Sequence, residues 1–132
     1  MSELAQEWAA AAIRSLIGAH TQAQDAGRTD DLVALYTPDA VLEVPGMPRV
    51  VGHTGLREAF KGWEPSVPQL HVVANTVVTV VGTDDAAATS DASFLQRGEN
   101  GWAVQLVGHY QDTLVRQDSA WRFSRRVTTF QV

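Results

Sequence analysis

The side chains able to do acid–base chemistry are few and scattered. Histidines stand at positions 20, 53, 71 and 109, a lone Asp25 ends a helix-like run, and Tyr110, Asp112 and Arg126 come late in the chain. An imidazole exchanges a proton near neutral pH, so each histidine is a candidate general base or acid. A carboxylate on its second ring nitrogen fixes the tautomer and stabilises the imidazolium that forms. A guanidinium or a phenol can polarise a carbonyl or steady a developing oxyanion. The four histidines form no H-x-H or H-x-x-x-H pair, so their spacing gives no metal site. There is no cysteine and no glycine-rich phosphate loop. Neither a metal nor another cofactor is therefore expected.

Each candidate has a structural alternative. A histidine opening a strand can be an ordinary satisfied polar residue, and Asp25 can simply bond local backbone. Tyr110 and Asp112 share one face of a strand by period two, so Asp112 can hold Arg126 as a structural pair, and Tyr110 can be plain core. His20 falls on the inner face of the first helix. His53 precedes a helix in a loop and is expected at the surface. His109 alternates with Tyr110 and is expected on the outer sheet face. An acid at a helix C-terminus also meets the unfavourable end of the macrodipole, so Asp25 needs a partner.

The bulk properties set the frame. The chain has 132 residues, 45% apolar and 19% charged, with a formal net charge of −5. That fits one globular domain, residues 1–132, large enough for a core. With no basic run, neither nucleic acid nor an anionic membrane surface is an expected partner. The N-terminal stretch lacks the basic region of a secretion signal and no run is long enough to span a membrane, so a cytoplasmic location is expected.

The elements that must position these groups follow from periodicity. Ser2 caps a first helix whose inner face carries Trp8, Ile13, Leu16, Ile17, His20 and Gln24, ending at Gly27. Thr29 is expected to cap a short second helix with Leu32, Leu35 and Tyr36 inside, stopped by Pro38-Asp39. Residues 40–46 alternate as a strand. Thr54 is expected to cap a third helix carrying Leu56, Phe60 and Trp63. From residue 70 the period becomes two, giving long strands at 71–82, 85–97, 102–116 and 120–131. Three helices followed by an antiparallel meander read as α+β. A cone-shaped, curved antiparallel sheet closed by helices leaves an apolar pocket for a small molecule. Trp102, Trp121 and Phe123 are expected on the uncovered sheet face, which predicts a homodimer, with a trimer as the alternative.

The segments DAGRTDDLVALYTPDAVLEVPG, GHTGLREAF, HVVANTVVTV and VGHYQDTLVRQDSAWRFSRR resemble the nuclear transport factor 2-like superfamily, and within it the SnoaL-like branch. The resemblance implies a curved sheet wrapped by three N-terminal helices around a deep pocket. It covers scytalone dehydratase, hexachlorocyclohexane dehydrochlorinase, ketosteroid isomerase, polyketide cyclases and non-enzymatic binding proteins, so fold alone does not give activity. In the first two, an acid ending the first helix faces a histidine starting a long strand; the matching positions here are Asp25 and His71. The dehydrochlorinase pattern also places an arginine at Arg126, matched, and a lysine at His20, not matched. The dehydratase's tyrosine and second histidine fall at Gln24 and near Gln96. The ketosteroid isomerase pattern fits worse: its tyrosine falls at His20 and its base near Val44, with Glu43 pointing to the opposite face. The resemblance thus implies His71 as base, Asp25 as its orienter, and Arg126 and Tyr110 polarising a polycyclic, aromatic or polyketide-like substrate. The pocket wall is expected to include His20, Gln24, Tyr36, Val44, Phe60, Phe94 and Thr128. A lyase or isomerase and a non-catalytic binding module or assembly subunit are the two functions this pattern allows.

Overall fold

The computed structural model describes residues 1–131. Helix α1 runs from Glu3–Asp25, with the Ser2 hydroxyl accepting from the Ala5 N–H at 3.0 Å. Its buried face is Ala9, Ile13, Leu16, Ile17, His20 and Ala23. Trp8 does not join it and is 67% exposed. Its spacing of five from Ile13 turns it well away from the face, whereas Ala9 sits four before and lies nearly in line. The helix closes through a Schellman motif: Arg28 N–H bonds Ala23 O, Gly27 N–H bonds Gln24 O, and Gly27 takes φ +70°.

Helix α2 spans Thr29–Val33, and Arg28 rather than Thr29 occupies its N-cap. The Thr29 hydroxyl instead donates to Glu64 at 2.8 Å, tying α2 to the end of the third helix. Strand β1 is Tyr36–Glu43, so Tyr36 is a strand residue and Pro38-Asp39 lies inside the strand. Proline is tolerated because the pairing of β1 is interrupted between Tyr36 and Val41, where no ladder needs its missing N–H. Strand β2 is Val50–Val51 and helix α3 is Gly52–Gly62, with Val51 as N-cap. Gly52 at φ +77° lets α3 start two residues before Thr54. The long strands β3 (Gln69–Val80), β4 (Asp85–Gly98), β5 (Gly101–Gln117) and β6 (Ala120–Gln131) follow.

The strands form one sheet in the order β2-β1-β6-β5-β4-β3. It is mixed rather than wholly antiparallel, because β1 and β6 pair in parallel. The returning last strand slots beside the first one in the same direction. Bulges interrupt β3–β4 after Ala74, β4–β5 after Phe94 and β5–β6 after Thr113. Each adds local bend and twist, and together they curl the sheet. Gly108 allows β5 and β6 to stay close there, since a Cβ would come within 2.9 Å of Thr129 O.

The last bulge also corrects the expected outer face. Phe123 is fully buried and Trp121 packs against the core, both on the concave side. The β5–β6 register jumps from Thr113↔Arg125 to Leu114↔Phe123, so Ser124 is the extra residue and parity flips there. Arg126, Phe123 and Trp121 therefore share one face, which strict alternation forbids. Trp102 does face outward and is half-exposed, together with Leu70, Val72, Val104 and Val107. Beneath the helices, Ile13, Leu16, Ile17, Leu32, Val33, Leu56, Leu114 and Phe123 fill the core. Among the described residues, no helix is long and apolar enough to cross a membrane.

Candidate active site

The curled sheet and α3 leave a cavity of about 510 Å³ beside that core. This is large enough for one drug-sized ligand. Its wall includes every residue assigned to it from sequence: His20, Gln24, Tyr36, Val44, Phe60, Phe94 and Thr128. It also includes His71, Tyr110 and Arg126.

The last residue of α1 meets the start of β3 here. The Asp25 carboxylate accepts from the His71 ring Nδ1 at 2.6 Å, from the His71 backbone N–H at 2.7 Å and from Gln69 Nε2 at 3.1 Å. Burial alone would raise the Asp25 pKa, but these hydrogen bonds outweigh it and hold the carboxyl below its ordinary value. With Asp25 ionised, Nδ1 carries the proton, which leaves the Nε2 lone pair. Nε2 makes no hydrogen bond among the described residues, and His71 lines the cavity. The Phe94 ring packs against the imidazole at 4.7 Å between centroids and restricts its tilt. Gln69 was not singled out from the sequence. Its spacing of two from His71 puts both on one strand face, and that is the signal that points to it.

Arg126 sits deeper. Its Nε and Nη2 donate to the two oxygens of Asp112 at 2.7 and 3.0 Å, and both side chains are buried. The guanidinium lies 3.8 Å over the Tyr110 ring and 4.8 Å over Phe123. Burial opposes the guanidinium charge, but Asp112 outweighs it and holds the Arg126 pKa above its ordinary value. Its third nitrogen, Nη1, makes no hydrogen bond among the described residues. Burial pushes the phenols of Tyr36 and Tyr110 up, so both stay protonated.

His20 lies beside this pair. Its Nε2 is 2.7 Å from the Tyr36 hydroxyl, and its Nδ1 is buried without a partner. Rings of Tyr36, Phe60 and Phe123 surround it edge-on. Burial first, then the nearby Arg126 and His71, drive its pKa well below the ordinary histidine value. His20 is therefore a neutral imidazole.

The other two histidines stay out of the cavity. His53 is less exposed than its loop-like sequence suggests: it falls in the first turn of α3, and Nε2–H donates to Tyr36 O at 2.8 Å. That bond anchors the start of β1, just before its unpaired stretch. His109 lies on the outer face with Asp91, at 3.1 Å. Among the described residues no group of three or more metal-ligating side chains converges. The sequence reading also missed Met47, Glu64 and Ser66 at the cavity mouth, which come from irregular segments without periodicity, while Trp63, expected on α3, sits at its C-cap and joins the wall.

A curled, unclosed sheet wrapped by helices around a cavity is the architecture of the nuclear transport factor 2-like superfamily. Within it, the chain belongs to the SnoaL-like domain family, whose model matches residues 6–127. In sequence, the chain matches no curated protein. Among solved structures it is similar to a provisionally named scytalone dehydratase from Novosphingobium aromaticivorans, with 20% identity and a TM-score of 0.89 over 99% of this chain and 89% of that one. A second likeness is to a protein from the same organism described as NTF2-like with a cystatin-like fold, with 22% identity and a TM-score of 0.83 over 90% and 79%. A third is to the LinA-type3 hexachlorocyclohexane dehydrochlorinase of Novosphingobium barchaimii, with 21% identity and a TM-score of 0.85 over 99% and 92%. At these identities the likeness is one of fold.

Proposed function

We propose that this protein is a cofactor-independent lyase or isomerase that removes a proton from a small aromatic, polycyclic or polyketide-like molecule. The observation that carries the reading is the 2.6 Å contact between Asp25 and His71 Nδ1, with the imidazole lining the cavity. His71 Nε2 takes the proton, and Asp25 stabilises the imidazolium. Arg126 Nη1 and the Tyr110 hydroxyl donate to the oxygen on which charge develops. Return of the proton to a leaving group completes an elimination, and return to another carbon completes an isomerisation or cyclisation.

A generic substrate tests the base without knowledge of the natural one. 5-Nitrobenzisoxazole is uncharged and ring-opens to a coloured phenolate when one C–H proton is removed. The wild-type protein is expected to accelerate that opening over buffer, and His71→Ala to return it to the buffer rate. Equal rates for wild type and His71→Ala would refute the base assignment and favour a binding module.

A further inference from the structure

The charges around the cavity restrict what it can hold. Among the described residues of its wall, Arg126 is the one fixed cation, since His20 is buried and neutral. Arg126 is already matched by Asp112 through two hydrogen bonds. Asp25 stands directly behind His71, and Glu64 stands at the mouth. Arg126 is thus already paired, and no second fixed cation on the described wall offsets Asp25 or Glu64. A ligand carboxylate reaching Arg126 Nη1 would share a single guanidinium with Asp112 and leave its charge uncompensated in a low-dielectric site. Two carboxylates so placed also repel one another. A carbonyl or hydroxyl oxygen carries no such cost and can accept from Nη1 or from Tyr110. The remaining wall carries no further charge: Leu42, Phe60, Ala92, Phe94, Leu106 and Phe130 are apolar, and Gln24, Gln69, Gln96 and Thr128 are polar but neutral.

We propose that the cavity takes an uncharged ring compound bearing a carbonyl or phenolic hydroxyl and discriminates against the same ring bearing a carboxylate. This deepens the reading above and rests on it only in taking this cavity as the binding site. The selecting element is the cancellation of Arg126 by Asp112.

The test is equilibrium binding of 2-naphthol and 2-naphthoate by calorimetry at about pH 7, where a phenol is neutral and a carboxylic acid ionised. The wild-type protein is expected to bind naphthol at least about tenfold more tightly. Equal or tighter binding of naphthoate overturns the proposal, as does failure of both to bind. Asp112→Asn, which frees Arg126, is expected to narrow the gap by about tenfold. An unchanged gap in the folded variant overturns the role given to Asp112, and the wild-type comparison decides selectivity if that variant does not fold. Binding and elimination are read separately. Selective naphthol binding without opening of 5-nitrobenzisoxazole would refute the proton-abstraction reading and leave this one standing.

Discussion

Asp25 accepts two hydrogen bonds from His71 at once, one from the ring at 2.6 Å and one from the backbone at 2.7 Å. The carboxylate therefore orients the imidazole and also fastens the end of α1 to the start of β3. An acid at the unfavourable end of a helix dipole is retained because it serves both roles.

The two roles separate in variants. Asp25→Asn keeps the shape but forces an amide N–H toward donors. Elimination is expected to fall by about a hundredfold or more, and stability by about 1–3 kcal/mol, measured by urea unfolding. Full activity in Asp25→Asn would remove the dyad. The depressed Asp25 pKa also fixes a pH window. The unfolded carboxyl titrates near its ordinary value, the folded one lower, so this stabilisation is complete above the unfolded pKa and is lost as pH falls toward the folded one.

His20 sets a second, higher window. Its folded pKa lies below the ordinary value of 6.5 because burial, Arg126 and His71 all disfavour the imidazolium. Below about pH 6.5 the unfolded chain takes up a proton that the folded one refuses. Stability should rise with pH up to about that value and then level off with respect to this group. His20→Phe should flatten that limb in denaturant titrations at several pH values. An unaltered slope would show that His20 is not the group responsible.

The Arg126–Asp112 pair predicts a steep asymmetry. Asp112→Ala leaves a buried guanidinium unpaired and should cost about 3–5 kcal/mol. Replacing both together, Asp112→Leu with Arg126→Met, should cost less than the single change. Urea midpoints of the single and double variants decide it, and a double variant less stable than Asp112→Ala would contradict the pairing argument.

We propose a second copy of the chain as the cover of the outer sheet face. The register lays Leu70, Leu95 and Val104 side by side across three strands, with Val72 and Val107 in the adjacent row. An apolar patch of this kind, half-exposed on each copy, suits a two-fold interface. Light scattering should report a dimer, and Val104→Glu with Val72→Lys should shift it to monomer. A wild-type monomer at high concentration would reject the dimer.

Much of this architecture was legible in the sequence where one rule acts alone. The ends of β4, β5 and β6 follow from alternation and the turns between them. The expected residues on α1, α3 and the long strands stand on the cavity wall, because period 3.6 and period two each mark a face. The misses occur where a second effect intervenes. Ser124 is an unremarkable residue in sequence, yet as a bulge it reverses which side Trp121 and Phe123 occupy. Trp8 reads as an inner residue when its spacing is counted as near 3 or 4, but five residues before Ile13 it turns away from that face. Tyr36 reads as the end of a helix because a single ladder pair, with Phe123, is followed by an unpaired stretch as far as Val41. The parallel pairing of β1 with β6 depends on a contact between distant parts of the chain, for which local pattern carries no signal.

That pairing has a consequence for how the protein is made. Tyr36 lies opposite Phe123, so the wall that joins His20 to Arg126 is sewn from the early and the late parts of the chain. A ribosome must release the chain through β6 before the cavity can close. Until then, the apolar faces of β1 and α3 have no last strand to meet, and loop closure over so long a span is slow. The chemistry is therefore acquired only once β6 is in place, and truncation before β6 should remove the cavity together with the cation at its floor.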